Sequence, residues 1–448
     1  MTLRASLLRE LTDPNLSVGS RVELCCELAK EFEDKGEYED AREVLSGLWP
    51  HIDQRPEVAG LEPSTAAEVL LRAGVLTGWI GSKKEIAGTQ ETAKNLISES
   101  LTVFESQNYK KKIAEAQIEL SLCYWRTGEL NEARDVLNEA LSHLSIENDL
   151  KAKAIIRLAI VERGASNFSK ALRILTENEP LFQKINNETL KGSYYVTLGT
   201  VLQNLWESKR RGDYLDRALI EYAAASYHFE LAEHKCYLAS VENELGLIYY
   251  NINRCTEAHE HLDRSRRILV RLKDYGTVAQ VDETRACVFL QEGRITEAEE
   301  AARAAVYHQE KTGRHALIAE ALITHGRALA RLRKHGAALL AFRRAFELSE
   351  QIGSSNQAGD AALAAFNELG EYLAVTEDRK IRPGRGLRQE KRLLERDVIK
   401  HALKNASGSV VHAARSLNIS YQALTYMLNT RHKELLKYRT PVRRRPRK

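Results

Sequence analysis

The chain has 448 residues, of which 43% are hydrophobic, 29% are charged and only 8 are proline. Rich in alanine, leucine, glutamate and arginine, it is predicted to be helical throughout, and its apolar runs are too short to span a membrane. The six cysteines are scattered without a CxxC or Cys/His spacing, so we expect reduced thiols, no metal site and a cytoplasmic protein.

Charge is divided unevenly along the chain. Residues 377–448 carry 20 lysines and arginines against 6 acidic residues, although the net charge of the whole chain is only +4. The rest of the chain is therefore acidic. A basic end on an acidic body is typical of a protein that binds phosphate through that end, although a solvated tail without a partner would carry the same charge.

Residues 18–350 are repetitive. A small residue is followed three positions later by an aromatic or aliphatic residue, and nine positions after that by alanine, as in Gly246, Tyr249 and Ala258. The later alanines, most of them 40 residues apart, are Ala93, Ala133, Ala171, Ala218, Ala258, Ala298 and Ala338. A period of this size predicts a solenoid of stacked helix pairs, in which Gly246 and Gly326 let the two helices of a pair approach closely.

Three segments carry the pattern most clearly, AKEFEDKGEYEDAREVL, SLCYWRTGELNEARDVLNEAL and GLIYYNINRCTEAHEHL. They resemble the tetratricopeptide repeat in its form of roughly forty residues, although the Trp and closing Pro of that family are mostly absent. We predict eight repeats in a domain of residues 1–376, with the register of the second and fourth repeats left open. A capping helix at 361–376 would cover the last repeat. Its inward side chains would be Leu363, Phe366, Leu369 and Leu373.

The same resemblance implies a binding groove. In the tetratricopeptide family the first helix of each pair lines a concave surface, where Asn and Gln side chains can hold an extended peptide through both its donors and its acceptors. Counted from the repeat positions, that surface holds Gln203, Asn204, Asn243, Asn251, Gln291, Arg327 and Arg331. We expect a peptide or protein partner there, although the concave face of any solenoid is polar.

A basic linker is predicted at 377–387 and a small helical domain at 388–438. Its first helix covers 389–406, and two short helices follow within 408–428. Ser409 and Ser420 are placed to cap these two helices, and Leu424 and Leu428 of the second face the first. This spacing predicts a helix-turn-helix that presents Tyr421, Gln422, Thr425 and Tyr426 to the major groove of DNA. An ordinary pair of packed helices is the alternative.

This domain resembles the DNA-binding end of the Fis family. The resemblance rests on residues 394–396, Ala402, Leu403, Gly408, residues 413–415, Leu417, Ile419 and Leu424. It implies a homodimer, for which Leu394 and Ile399 of the preceding helix are the candidate apolar contacts. The chain departs from the family in one respect: the outward face of the recognition helix lacks Arg and Lys, the side chains suited to bidentate guanine readout.

DNA binding would combine insertion of the recognition helix with phosphate contacts from the cations that follow it and from a basic tail at 439–448. The predicted DNA-binding residues are Ser409, Ser420, Tyr421, Gln422, Thr425, Tyr426, Arg431, Lys433, Lys437, Arg443, Arg444 and Arg445.

No phosphate-loop, zinc-protease or serine-hydrolase motif occurs, so we predict neither an enzyme nor a cofactor. The predicted fold class is all-α: a tetratricopeptide-type α-solenoid of helix pairs followed by a small Fis-like helix-turn-helix domain. The first hypothesis is a sequence-specific transcriptional regulator of the bacterial cytosol, associated with the nucleoid and bound to double-stranded DNA. The second is a non-enzymatic protein-interaction scaffold whose basic tail binds nucleic acid without sequence preference.

Overall fold

The computed structural model describes residues 15–84, 86–146, 148–209, 211–376, 387–417 and 419–439, together with Leu7 and Leu11. Every regular element in those residues is a helix. None of these helices combines the length and the apolar character that crossing a membrane requires. The chain divides into two compact units, residues 1–245 and 246–448.

The first unit is a series of helix pairs. Its pairs are α1 (Val18–Glu33) with α2 (Tyr38–Val44), α3 (Pro63–Lys84) with α4 (Thr89–Ser106), α5 (Lys110–Thr127) with α6 (Leu130–His143), α7 (Asp149–Gly164) with α8 (Phe168–Glu177), and α10 (Glu188–Lys209) with α11 (Gly212–Leu231). A short helix, α9 (Glu179–Lys184), separates the fourth pair from the fifth. This inserted helix explains why the alanine register lengthens between Ala171 and Ala218.

The second unit also contains helix pairs, which are followed by a single helix and then by the C-terminal helices. Its elements are the end of α12 (Lys235–Asn251) with α13 (Cys255–Arg271), α14 (Tyr275–Glu292) with α15 (Ile295–Thr312), α16 (His315–Arg331) with α17 (His335–Gln351), and the single helix α18 (Ser355–Thr376). The C-terminal helices are α19 (Leu387–Asn405), α20 (Val410–Ser416), α21 (Tyr421–Thr430) and a 3-10 helix (Lys433–Tyr438). The described residues therefore contain eight helix pairs, the number of repeats predicted from the sequence.

The small residues of the repeat are the positions where paired helices touch. All seven alanines of the register, from Ala93 to Ala338, are completely buried. A Cβ atom on Gly246 would lie 2.5 Å from Cγ of Leu262, and one on Gly326 would lie 2.6 Å from Cε1 of Phe342. Because a methyl group at either glycine would overlap the facing side chain, the close approach predicted from the sequence is confirmed.

The aromatic or aliphatic position of the repeat also sets the turn between paired helices. The N–H of Glu129 donates to the carbonyl of Tyr124 at 2.8 Å, and that of Arg294 donates to the carbonyl of Phe289 at 2.9 Å. The residues between, Gly128 and Gly293, have φ values of +84° and +76°. A glycine in the left-handed conformation thus ends the helix, and the N–H of the next residue donates to a carbonyl of the last helical turn. This hydrogen bond gives the turn one fixed length.

The capping helix corrects one prediction. α18 begins at Ser355, six residues before the predicted start, and it packs on the last pair through buried Ala361, Ala364 and Ala365. Leu363, predicted to point inward, is 48% exposed. Small side chains let α18 lie close to the last pair, whereas the leucine, one position from the contact row, points to solvent. The side chains of Phe366, Leu369 and Leu373 lie outside the described residues.

Candidate nucleic-acid interface and repeat cavity

The C-terminal helices form the predicted helix-turn-helix around a small core of their own. The Ser409 side chain accepts a hydrogen bond from the N–H of His412 at 3.5 Å, and Ser420 accepts one from the N–H of Ala423 at 3.1 Å. Both serines are therefore helix caps, as predicted. The core between α19, α20 and α21 consists of Ile399, Ala402, Leu403, Val410, Ala413, Ala414, Leu424, Leu428 and Leu435.

The outward face of α21 agrees with the sequence at three of four positions. Tyr421, Gln422 and Tyr426 are exposed. Thr425 is not: it is half-buried, and its Oγ1 atom is shielded from solvent without a hydrogen-bond partner among the described residues. Each helical residue advances by about 100°, so Thr425 lies on the flank of the helix beside Leu424. Contact of Thr425 with DNA therefore stays a prediction, for a side chain that is less accessible than the other three.

The structure adds residues to that face. Ala423, Asn429 and Thr430 are exposed on α21, on the side opposite Leu424 and Leu428. A helical projection about the two buried leucines would have found all three, because each lies more than a quarter turn from them. Arg415 of α20 is exposed next to this face and lines a shallow depression together with Tyr421. These side chains supply amide, hydroxyl and guanidinium groups suited to base edges and phosphate.

The cations predicted to contact phosphate differ in their surroundings. Lys433 and Lys437 are exposed. Arg431 is also exposed, but its Nη1 atom lies 3.5 Å from Oε1 of the nearly buried Glu395, and its carbonyl accepts a hydrogen bond from Arg392. Part of its charge is therefore balanced within the domain. Arg443, Arg444 and Arg445 lie outside the described residues.

Two lysines missing from the prediction complete a basic cluster. The Nζ atoms of Lys400, Lys404 and Lys437 lie 5.8, 5.8 and 5.3 Å from the ring centre of Tyr438. Three ammonium groups around one aromatic ring form a concentrated positive surface, since the ring face attracts each cation. Lys400 and Lys404 are four residues apart on α19, a spacing that places both on one face of the helix.

One of the two predicted dimer contacts is not available as expected. Ile399 is only 2% exposed, because it belongs to the core beneath α20 and α21. Since a side chain that fills its own domain core cannot also meet a second copy, Ile399 is not part of a dimer seam in this arrangement. The side chain of Leu394 lies outside the described residues.

Four of the predicted groove residues meet in one cavity of the second unit. Asn251, Gln291, Arg327 and Arg331 line a space of about 560 Å³. The cavity is also lined by Tyr250, Asn253, Cys287, Leu290, Ala364, Asn367 and Glu368. These residues come from α12, the turn after it, α14, α16 and α18, the first helices of successive repeats and the capping helix. The sequence prediction omitted the contribution of α18, because the cap is not part of a repeat.

The cavity residues form two rows that follow the repeat period. Asn251, Gln291 and Arg331 are each 40 residues apart, and so are Cys287, Arg327 and Asn367. Equivalent positions of stacked repeats lie side by side, so each row runs across the helices rather than along them. A ligand that follows a row would meet an amide or a guanidinium group at each helix.

The two arginines in the cavity are held differently. Arg331 donates from Nη1 to the carbonyl of Leu290 at 3.0 Å, and its Nη2 atom lies 3.4 Å from Oε1 of Glu368. For Arg327 the described part of the chain offers no hydrogen bond or ion pair within bonding distance. Gln291 donates to Asn253, which orients the amide at the cavity edge. Arg327 is therefore the cation with the most hydrogen-bonding capacity left for a ligand.

The three predicted groove residues of the first unit are placed differently. Gln203 accepts a hydrogen bond from the hydroxyl of Tyr222 at 3.0 Å. The Oδ1 atoms of Asn204 and Asn243 are shielded from solvent without a hydrogen-bond partner in the described residues. The structure does not bring these three into the cavity of the second unit.

Ion pairs occupy the face shared by the first helices of the early pairs. Arg72 of α3 lies 2.7 Å from Glu33 of α1 and 2.8 Å from Glu115 of α5. Glu119 of α5 lies 2.5 Å from Lys153 of α7. Burial raises the pKa of Glu119, but Lys153 and Arg157 outweigh that effect and hold its pKa at about 2. No local pattern in the sequence indicates this network, because its members are far apart in the chain.

Comparison with known proteins supports both parts of the chain. The model of the bacterial regulatory protein, Fis family, matches residues 392–429, and a tetratricopeptide repeat model matches residues 114–142. The chain thus carries a tetratricopeptide repeat and a C-terminal Fis-family helix-turn-helix, as the sequence predicted. No curated protein matches the chain.

Solved structures share the helical-repeat fold at low sequence identity. The apo form of the quorum sensor NprR from B. thuringiensis is 11% identical with a TM-score of 0.53, over 77% of this chain and 92% of that one. A signal transduction ATPase with numerous domains and a tetratricopeptide repeat sensor, from Pyrococcus horikoshii, is 15% identical with a TM-score of 0.50, over 79% of this chain and 55% of that one. At such identity the likeness concerns the fold alone.

Two sites are assembled from polar and charged side chains in the described residues. Within them no group of three or more His, Cys, Asp or Glu side chains is arranged to hold a metal ion. The two assembled sites are instead an exposed helix beside a basic cluster and a cavity lined by amides and arginines. The first presents hydrogen-bonding and cationic groups on an exposed surface, and the second presents them inside a cavity.

Proposed function

We propose that the chain is a sequence-specific DNA-binding transcriptional regulator of the bacterial cytosol, associated with the nucleoid, whose repeat array binds a peptide or protein partner. The observation that carries the proposal is the Fis-family helix-turn-helix, whose α21 leaves Gln422, Tyr426 and Asn429 exposed on one face. A capped helix with such a face is the element that the helix-turn-helix class inserts into the major groove. We propose no enzymatic activity for either part.

In this proposal affinity and specificity come from different residues. Lys400, Lys404 and Lys437 would neutralise phosphates and release counterions whatever the sequence of the duplex. The outward face of α21 has no charge, so it cannot supply this electrostatic contribution to affinity. Gln422 can pair with the N6 and N7 edge of adenine, and the tyrosines can reach phosphate or a thymine methyl group.

The test begins with selection of duplexes from a randomised pool by the full chain. Gln422→Ala should weaken binding to a selected duplex by about 1–3 kcal/mol and leave binding to random duplex almost unchanged. The pair Lys400→Ala and Lys404→Ala should weaken both to the same degree and flatten the dependence on salt. Titrations of both duplexes at several salt concentrations separate the two effects.

The scaffold hypothesis predicts that the protein binds nucleic acid without a preferred sequence. Its supporting observation is the uncharged outward face of α21, which gives the recognition helix no guanidinium for guanine. If the pool yields no shared sequence while the lysine variants still lose binding, the protein binds nucleic acid without sequence preference. If the pool yields a shared sequence and Gln422→Ala still recognises it, the protein binds DNA sequence-specifically. Gln422 would then not be the residue that reads the sequence.

We propose that the partner is an extended polypeptide segment lying across the cavity. Neighbouring packed helices are about 10 Å apart, and an extended chain advances about 3.3 Å per residue, so every third residue would reach a new helix. The row of Asn251, Gln291 and Arg331 offers one polar side chain at each of these steps. The amides of Asn251 and Gln291 can pair with both the N–H and the C=O of a peptide backbone, and the guanidinium of Arg331 can donate to a C=O.

An array of synthetic peptides probed with the labelled full chain tests this proposal. Peptides bound by the wild type should be lost by the double variant Asn251→Ala, Gln291→Ala. They should be kept by Asn95→Ala, which removes an exposed amide from a second helix of the first unit. Binding that survives the double variant would place the partner elsewhere. The DNA titrations do not depend on this outcome.

We also retain, as a proposal, a homodimer formed through the C-terminal domain. The Fis resemblance supports it, but its contacts must exclude Ile399. Half-exposed Val411 of α20 is an apolar side chain that remains accessible in this domain.

A further inference from the structure

Within the second unit, the last turn of α17 contacts the first helix of the helix-turn-helix domain. Nε2 of His401 on α19 lies 3.3 Å from Oε1 of Glu350 on α17. Helix α19 also packs against α18, the helix that follows α17 in the chain. The helix-turn-helix domain therefore rests on the last repeat pair and its capping helix.

The end of α17 that makes this contact is negative. Glu350 is the penultimate residue of α17, and the last turn of that helix contains no Lys or Arg. The carbonyl groups at the C-terminus of a helix carry a partial negative charge, which basic side chains in the last turn often offset. In α17 no such side chain is present, and the glutamate adds to the charge. Such a helix end attracts a basic side chain from a neighbouring helix.

His401 lies on the basic side of α19. Because each helical residue advances by about 100°, Lys400, Lys404 and His401 lie within an arc of about 100° around the helix. The two lysines belong to the basic cluster for which we propose phosphate contacts. Asp397, one turn earlier on this side, is balanced by Arg396 at 2.9 Å. The end of α17 thus meets the side of α19 that a duplex would use.

We propose that the end of α17 holds the helix-turn-helix domain in a docked state that weakens its binding to DNA. A negative helix end and the phosphates of a duplex would compete for one side of one helix, so binding of one displaces the other. The apparent affinity for DNA then falls in proportion to the fraction of molecules that are undocked. This rests on the proposed function, in which the lysines of α19 contact phosphate.

The docking contact is weak enough for DNA to displace. The side chains of His401 and Glu350 are 42% and 38% exposed, and a contact so open to water contributes little free energy. Removing either side chain leaves the packing of α19 on α18 in place. Such variants should therefore shift the docking equilibrium without unfolding either part.

Alanine variants of the full chain test the proposal by the sign of their effect. His401→Ala removes an imidazole from the basic side of α19, which by itself can only reduce attraction to phosphate or leave it unchanged. If docking competes with DNA, His401→Ala should instead bind a random duplex about two- to fivefold more tightly than wild type, and so should Glu350→Ala. The double variant should gain no more than either single variant, because both remove the same contact.

The control for charge is Glu347→Ala. It removes the same charge from α17, but the Glu347 carboxylate pairs with Arg343 of its own helix at 3.0 Å, so this variant should bind DNA as wild type does. Equal gains in Glu347→Ala and Glu350→Ala would indicate a general charge effect and overturn the proposal. Unchanged or weaker binding by His401→Ala would also overturn it.

The lysine pair distinguishes failure of docking from failure of the proposed function. If Lys400→Ala with Lys404→Ala leaves binding to random duplex unchanged, α19 does not contact DNA, and the proposed phosphate contacts fail together with the competition. If the lysine pair weakens binding while the docking variants do not strengthen it, the proposed contacts stand and only the docked state is removed.

Hydrogen exchange of the wild type tests the displacement directly. A saturating random duplex should make the backbone amides of residues 347–353 exchange faster, because DNA removes α19 from the end of α17. Glu350→Ala should show part of this acceleration without DNA. Exchange at 347–353 that slows or stays unchanged when the duplex is added to wild type would overturn the proposal.

Discussion

The inner faces of the first and second units are built from the same repeat but filled in different ways. In the first unit, Arg72 of α3 pairs with Glu33 of α1 and with Glu115 of α5. In the second unit the helices contribute amides and arginines around an open cavity. Buried charges of opposite sign must pair to offset their desolvation, so one face is closed by its own side chains. Amides and partly exposed arginines carry no such requirement, which leaves the other face able to accept a ligand.

The largest expected effect on stability comes from removing the ion pairs that close the inner face of the first unit. Arg72→Met removes the partner of two nearly buried carboxylates and should lower the free energy of unfolding by about 3–5 kcal/mol. Arg327→Met, its counterpart in the open cavity, should change it by less than about 0.5 kcal/mol. Urea denaturation followed by circular dichroism compares the two. Equal losses would contradict the distinction between the faces.

Acid should weaken the closed face through Glu119. Its pKa in the fold is about 2 and its ordinary value is 4.5, so the carboxylate stabilises the fold above pH 4.5 and loses this contribution as the pH falls towards 2. The shift corresponds to about 3 kcal/mol at most. Denaturation at several pH values should show a smaller loss over this range for Glu119→Gln than for wild type. Identical pH profiles would show that Glu119 contributes nothing.

The feature shared by the two units is helix pairing at the register alanines. Ala133→Trp in the first unit and Ala298→Trp in the second should each cost about 1–3 kcal/mol, because both alanines are completely buried between helices. Asn95→Trp, on an exposed outer face, should cost less than about 0.5 kcal/mol. If only one alanine variant is destabilised, the pairs of the two units are not packed alike.

Much of the fold could be predicted because its signals lie close together in the chain. The register alanines, the glycines at the crossings and the serine caps each act within one helix or one turn. The recognition helix was placed correctly for the same reason, since Ser420, Leu424 and Leu428 define its start and its buried side. The half-buried position of Thr425 was not predicted, because the outward residues were assigned as those that remain once Leu424 and Leu428 face the first helix.

What only the tertiary structure decided depends on contacts between helices some forty residues apart in the chain. By itself the sequence determined the period, the helix pairs, the capped helix-turn-helix and the row of Asn251, Gln291 and Arg331. It did not determine that Arg72 meets Glu33 and Glu115, that α18 packs through alanines and leaves Leu363 exposed, or that Ile399 belongs to a core. These outcomes depend on which side chains of neighbouring repeats come within bonding distance, and that depends on how closely each pair of helices packs.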